Sequence, residues 1–250
     1  MPKLVFLGTA TNIPDEKHEN THFILVGKNR MVLVDGPGNP YARIKMAGLD
    51  VDALTDIVLT HFHPDHVSGI PLLLMALGLS GRSDPLTIYA NQHCLDLTQQ
   101  VLEFYNWDKW HNFPVTFITI PDEEMVEVLK DEQFSIFSSP VKHYIPALGL
   151  RFEFHESGKV LAYSGDTAPV ESLQGLAHGA DILVHEAAGA AEGHSSARQA
   201  GELAQQAQVK SLQLVHYPVG GFDYQVLVDE AKEVFQGEVI MAEDFSQLEF

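Results

Sequence analysis

The chain has 250 residues, 45% hydrophobic and 20% charged, which suits one compact domain spanning 1–250 with a large core. Its 34 acidic and 15 basic residues leave a formal net charge of −19 and no basic run, which argues against a large polyanion such as RNA as its natural partner. A single cysteine, Cys94, rules out an internal disulfide and a cysteine-based zinc cage. The opening run from Met1 to Leu7 is too short for a signal peptide. No apolar run approaches the roughly 20 residues needed to cross a bilayer, so a soluble, cytoplasmic protein is expected.

In chain order, residues 3–8 read as a strand closed by Gly8-Thr9-Ala10, and a polar loop from Asn12 to Asn20 follows. Thr21–Val26 and Met31–Gly36 then form a hairpin about the turn Gly27-Lys28-Asn29-Arg30. Asp35 closes that hairpin, either as a group that holds a ligand in place or as a turn residue. Tyr41–Ala47 has helical spacing and stops at Gly48. Ile57-Val58-Leu59 reads as a buried strand, and the run from Ile70 to Leu77 as a core-facing helix. Pro85–Ala90 is a further strand.

A helical region from about Gln92 to Trp107 follows, and its aromatics Phe104, Tyr105, Trp107 and Trp110 fit packing or a subunit interface better than a pocket wall. Short strands at 115–119, 125–129 and 134–138 suggest the antiparallel part of a sheet. A hairpin turns at Glu156-Ser157-Gly158 between strands 150–155 and 159–163. Strand and helix then alternate: 181–184, 195–207, 212–215, 223–235 and 239–241. Each half is strand-rich first and helix-punctuated later, which allows two mixed α/β layers packed face to face.

The stretch that carries chemistry is His61-Phe62-His63-Pro64-Asp65-His66, between the strand at 57–59 and the helix at 70–77. Ligand sites of α/β folds are built at such strand ends. Three imidazoles and a carboxylate within six residues can grip metal: neutral imidazole is the commonest nitrogen ligand, and His61 and His63 share a side if the backbone is extended. Further candidates close other strands: His143, Asp166 in Ser164-Gly165-Asp166-Thr167, His185 with Glu186, and His216.

These motifs together, spread in order over nearly the whole chain, resemble the metallo-β-lactamase superfamily. The resemblance implies a four-layer αββα sandwich. It places one divalent ion on His61, His63 and His143 and a second on Asp65, His66 and His216, with Asp166 between them. Within that superfamily Phe6-Leu7-Gly8-Thr9, Val184-His185-Glu186-Ala187 and Gly193-His194-Ser195-Ser196-Ala197 are similar to ribonuclease Z and its small phosphodiesterase relatives. By that resemblance Glu186 orients His194, which protonates the leaving oxygen, and a homodimer is implied, for which the aromatic region near Trp107 could serve. Catalysis would thus rest on Asp65, Glu186 and His194, with a hydroxide shared by two metals as nucleophile.

Imidazole and carboxylate ligation without thiolate suits Zn²⁺, and also Mn²⁺ or Fe²⁺; zinc is expected. Three features separate the chain from a full ribonuclease Z. It has no inserted Gly/Pro-rich arm, its last motif reads His216-Tyr217-Pro218-Val219-Gly220 without polar and basic residues, and it is acidic. The expected activity is therefore hydrolysis of a small phosphodiester. Other readings are hydrolysis of a carboxylic, lactone or sulfate ester at the same site, true pre-tRNA 3′ cleavage, and a non-catalytic metal-binding protein. A redox di-iron protein is argued against by His63, where redox relatives carry a carboxylate. Loops 10–20, 80–85 and 145–149 are the expected pocket walls. His18, His22, His93, His111, His155 and His178 read as surface or packing residues, with His22 the foremost exception.

Overall fold

The computed structural model describes residues 1–109 and 113–250, so Trp110 and His111 lie outside the described residues. The first six strands are β1 (Lys3–Gly8), β2 (His22–Val26), β3 (Met31–Val34), β4 (Asp56–Val58), β5 (Leu86–Asn91) and β6 (Val115–Ile120). The next seven are β7 (Val126–Lys130), β8 (Phe134–Val141), β9 (Ala147–Phe154), β10 (Val160–Tyr163), β11 (Ile182–Glu186), β12 (Ser211–Val215) and β13 (Glu238–Met241). A final strand, β14 (Gln247–Glu249), returns to the first sheet and runs antiparallel to β1. The two sheets have the orders β14-β1-β2-β3-β4-β5-β6 and β13-β12-β11-β10-β9-β8-β7.

Alternation along the strands sorts the side chains into layers. In β2, Phe23 and Leu25 face the other sheet and join Phe152, Leu161 and Tyr163 in the central core. Ile24, between them, faces outward with Leu33 and Ile57. Helices α1 (Pro40–Met46), α2 (Pro64–Val67), α3 (Ile70–Leu79) and α4 (Gln92–Phe104) follow in the first half, and Ile44, Val67, Leu74 and Leu95 cover that outward face. Helices α5 (Glu171–Ala177), α6 (Ala197–Gln206) and α7 (Tyr224–Lys232) cover the second sheet through Leu173, Ala200 and Leu227. The result is the helix–sheet–sheet–helix sandwich that the sequence resemblance implies.

Local chemistry sets the helix starts. Asn39 accepts from the Ala42 amide just ahead of Pro40, and Asn91 accepts from the Cys94 amide. Ser196 and Gln199 form a reciprocal capping box at α6.

The structure departs from the sequence-based expectations at four points. The strand expected at 115–119 is β6, which lies parallel to β5 at the edge of the first sheet; the chain changes sheets between β6 and β7. Three short strands in succession look alike whether or not they pair, and register is a long-range property. Helix α5 and strand β14 were not foreseen, being only seven and three residues long. Loop 80–85 precedes β5 and, through Arg82, Asp84 and Pro85, lines a separate cavity with Asp52 and Leu54, at the sheet end away from the His61 motif. Helix α4 ends with Phe104 83% exposed, and Tyr105 is also exposed, so these aromatics are not core. Among the described residues no helix is long and apolar enough to cross a membrane.

Phe23 ties the sheets together, with its ring 5.0 Å from Tyr163, 6.0 Å from Phe152 and 6.2 Å from Phe6, all edge-on. Phe23→Ala opens a cavity between the sheets and is expected to lower unfolding stability by about 3–5 kcal/mol. The measurement is a urea midpoint shift at unchanged slope.

Candidate metal centre

Strands β3 and β4 are parallel neighbours, and their C-terminal ends deliver the first groups. Asp35 follows β3 at φ +59°, fully buried. Its Oδ1 accepts the Thr60 amide at 2.8 Å, and its Oδ2 accepts the Thr60 hydroxyl and His66 Nδ1, each at 2.8 Å. Because the Thr60 hydroxyl donates to Asp35, it accepts from His61 Nδ1 at 3.0 Å. Both imidazoles therefore carry a proton on Nδ1, which leaves Nε2 as the atom each can offer to a cation. His143 is fixed the same way, with Nδ1 donating to the Gly193 carbonyl at 2.7 Å. Asp35, left open between two roles by the sequence, is thus the group that orients His66. Thr60 was missed; its signal was a polar residue directly between an apolar strand end and His61.

The remaining ring nitrogens converge. His63 Nδ1 lies 3.1 Å from His61 Nε2 and 3.0 Å from His143 Nε2. Asp166 enters from the second sheet, on the turn after β10. There Gly165 has φ +59°, and a Cβ would stand 2.5 Å from the Leu148 carbonyl oxygen, so only glycine lets the turn close against β9. Asp166 Oδ2 lies 3.2 Å from His216 Nε2, 3.4 Å from His66 Nε2 and 3.9 Å from His61 Nε2. Asp65 Oδ2 completes that side, 3.7 Å from His66 Nε2 and 3.9 Å from His216 Nε2. His216, at the end of β12, also has a left-handed backbone, φ +51°, one of the strained positions that gather at functional sites.

Two groups of donor atoms result, each within 4.8 Å: His61, His63 and His143, and Asp65, His66, Asp166 and His216. Asp166 Oδ2 sits between them. His143, Asp166 and His194 form a third grouping by the same measure. His185, although buried, turns its Nδ1 to the Glu186 carbonyl at 2.8 Å and joins none of these groups. His22 is buried as well, and its Nδ1 donates to the Asn20 carbonyl at 2.8 Å.

The donor set fits divalent cations. His66 Nε2 and Asp166 Oδ1 are buried without a hydrogen-bond partner, a costly state unless something else satisfies them. Burial holds His61 well below the usual imidazole range, lowers His63 and His143, and pushes His216 down to about 4. These rings are thus neutral near pH 7, as ligation requires. Burial lowers His66 too, but Asp166 and Asp35 override it and raise its pKa well above the ordinary value. Burial raises the Asp166 carboxyl, yet His216, His66 and His61 hold it well below the carboxylate range. Carboxylates that attract a proton to His66 would attract a cation in its place.

Beside this cluster lies a second pair. Glu186, fully buried at the end of β11, accepts from the amides of Thr167 at 3.0 Å, Ala188 at 3.0 Å and Ser195 at 3.2 Å. It also accepts from His194 Nδ1 at 2.9 Å. Burial raises Glu186 to about 7, although the hydrogen bonds it accepts from His194 and the Ala188 amide pull the other way. The hydrogen bond that His194 donates to Glu186 raises the His194 pKa against the effect of burial. The His194 ring stands 4.9 Å from that of His143 and 5.9 Å from that of His216.

His63, Asp65, Asp166, His194 and His216 line one cavity of about 830 Å³, whose far wall is Thr11, Asn12, Ile13 and Asn20. That loop is anchored by Asp244, which accepts the Thr9 hydroxyl at 2.7 Å, the Glu19 amide at 2.9 Å and the Arg43 guanidinium. Of the three expected wall loops, 10–20 contributes, and Tyr144 stands just before 145–149.

Residues 31–217 match the family described as a beta-lactamase superfamily domain. The chain is 27% identical to a ribonuclease Z of Methanothermobacter thermautotrophicus, over 94% of this chain and 92% of that one. It is 26% identical to a ribonuclease BN of Escherichia coli, over 98% of each. Among solved structures, the metallo-beta-lactamase fold protein YhfI from Bacillus subtilis aligns at TM-score 0.84 and 21% identity, covering 100% of this chain and 99% of that one. Human tRNase Z, short form, aligns at TM-score 0.78 and 24% identity, covering 99% and 98%.

Asp35→Asn keeps a residue that tolerates positive φ but replaces the acceptor that holds His66. It is expected to weaken divalent-metal affinity by about 10–100-fold, read by competition with a chromogenic chelator.

Proposed function

The chain belongs to the metallo-β-lactamase superfamily, and from that premise we propose that it is a dinuclear metal-dependent phosphodiesterase of the ribonuclease Z type acting on small substrates. The observation that carries the reading is the Glu186–His194 pair beside the two donor groups, 2.9 Å between Oε1 and Nδ1. Hydrolysis of a diester with a poor leaving group needs a proton donor, and a histidine whose cationic form is held by a buried carboxylate meets that need. The names of the curated relatives, ribonuclease Z and ribonuclease BN, support phosphodiester chemistry. Among the described residues lining the cavity none is lysine or arginine, which favours a small monoanionic diester over a polyanion.

In this reading His61, His63 and His143 would hold one cation, and Asp65, His66 and His216 the second, with Asp166 close to both groups. Two divalent cations, zinc being the expected metal, supply Lewis acidity for water activation and for charge developing on the phosphoryl oxygens. The protein does the rest. Asp35 and Thr60 keep His66 and His61 in the ligating tautomer, and Asp65 faces the substrate side of the second group. His194 Nε2 gives its proton to the leaving oxygen while Nδ1 stays bonded to Glu186. The superfamily resemblance extends the reading to a homodimer.

Two measurements test this. Purified protein is expected to hydrolyse bis(p-nitrophenyl) phosphate, to lose activity on chelation and to regain it with zinc. His194→Ala is expected to lower kcat by about 10²–10⁴-fold with the metal retained. Metal-loaded protein that cleaves carboxylic, lactone or sulfate esters but no phosphodiester would refute the reading, and faster cleavage of pre-tRNA 3′ trailers would replace its small substrate.

The pH profile is a separate check. Activity that needs protonated His194 is present below its raised pKa and falls as pH climbs through it, so the alkaline limb lies above the ordinary imidazole value of about 6.5. Glu186→Gln removes the stabilising carboxylate and is expected to move that limb to lower pH.

A further inference from the structure

Tyr144 follows His143 directly and is still 56% exposed, on the wall of the cavity. Its ring centroid lies 5.2 Å from that of His143 and 6.1 Å from that of His194. Gly193 backs the ring. A Cβ at Gly193, where φ is +75°, would stand 3.0 Å from both Cδ2 and Cε2 of Tyr144 and 3.1 Å from His143 Nδ1. The ring thus rests on glycine backbone beside the Gly193 carbonyl that fixes His143, and more than half of the residue stays exposed on the cavity wall. A tyrosine so held loses little conformational freedom when it takes up a ligand.

Its position has a chemical meaning. During hydrolysis the water oxygen bonds to phosphorus, the bond from phosphorus to the leaving oxygen breaks, and the His194 proton ends on that oxygen. Whatever group the leaving oxygen carries is therefore beside His194, within reach of the Tyr144 ring. With no lysine or arginine among the described lining residues, that group meets an aromatic face and not a cation.

We propose that Tyr144 is a specificity-determining residue that stacks an uncharged, planar aromatic leaving group, so that the substrates are phosphodiesters of aryl or nucleobase-bearing alcohols. The assignment rests on the phosphodiesterase reading above. Stacked aromatic pairs gain free energy beyond their buried area, which corresponds to about a three- to tenfold preference over an aliphatic ring of equal size.

The test is equilibrium binding to the zinc-loaded full chain, by calorimetry, of two diester mimics whose ring-bearing arm is held by an uncleavable P–C bond, methyl benzylphosphonate and methyl cyclohexylmethylphosphonate. Both carry one negative charge and a six-membered ring of similar bulk. Wild type and Tyr144→Phe are expected to bind the benzyl compound about three- to tenfold more tightly. Tyr144→Leu, which fills much of the same space, is expected to bind the two equally. Equal binding by wild type, or a benzyl preference that survives in Tyr144→Leu, overturns the role of Tyr144. Hydrolysis of bis(p-nitrophenyl) phosphate by the same wild-type sample separates the two levels. Turnover without a benzyl preference removes only this inference, and no turnover of any phosphodiester removes the underlying function with it.

Discussion

Three hydrogen bonds, all accepted by one buried carboxylate, decide the chemistry of this molecule. Asp35 binds the backbone and hydroxyl of Thr60 and the Nδ1 of His66. In doing so it sets the path of the chain after β4 and the tautomer of two imidazoles at once. A buried carboxylate is expensive unless its oxygens are used, and here both are used. Burial still raises its pKa, with His66 pulling the other way. The left-handed backbone at Asp35 belongs to the same arrangement, since it turns the carboxylate back toward the strand ends.

The two halves of the sandwich divide the work. The first sheet supplies His61, His63, Asp65 and His66 from a single strand-to-helix turn. The second supplies His143, Asp166, Glu186 and His216 from the ends of four different strands. A centre divided in this way exists only while the sheets are packed, and the aromatic contacts of Phe23 with Phe152 and Tyr163 are part of what keeps them so. Metal affinity and global stability are coupled for that reason: a cation bound by both halves stabilises the folded chain alone.

The surface around the centre gives it its character. Net charge is −19, yet the cavity concentrates imidazole, and the residues at its rim are mostly small, polar or aromatic. Cations at the centre would be the main local positive charge, and would draw an anionic ligand to the centre and not along a basic groove. The loop anchored by Asp244 and the ring of Tyr144 then shape what surrounds the reacting atom.

Local sequence determined a good deal. The His61–His66 motif, with three histidines and an aspartate in six residues, needed no distant information, because a short turn confines its donors to one place. The later groups His143, Asp166, Glu186 and His216 were legible through their positions at strand ends, and His194 only through resemblance to a known family. Tertiary structure alone decided the rest. It showed that Asp35 meets His66 across 31 positions in sequence, that His185 turns away while its neighbour Glu186 turns in, and that β6 closes the first sheet. It also separated loop 80–85 from the site and brought Tyr144 onto Gly193. The physical reason is the same throughout. Residue type and local spacing fix which donors a segment offers, while the pairing of distant strands fixes which donors meet.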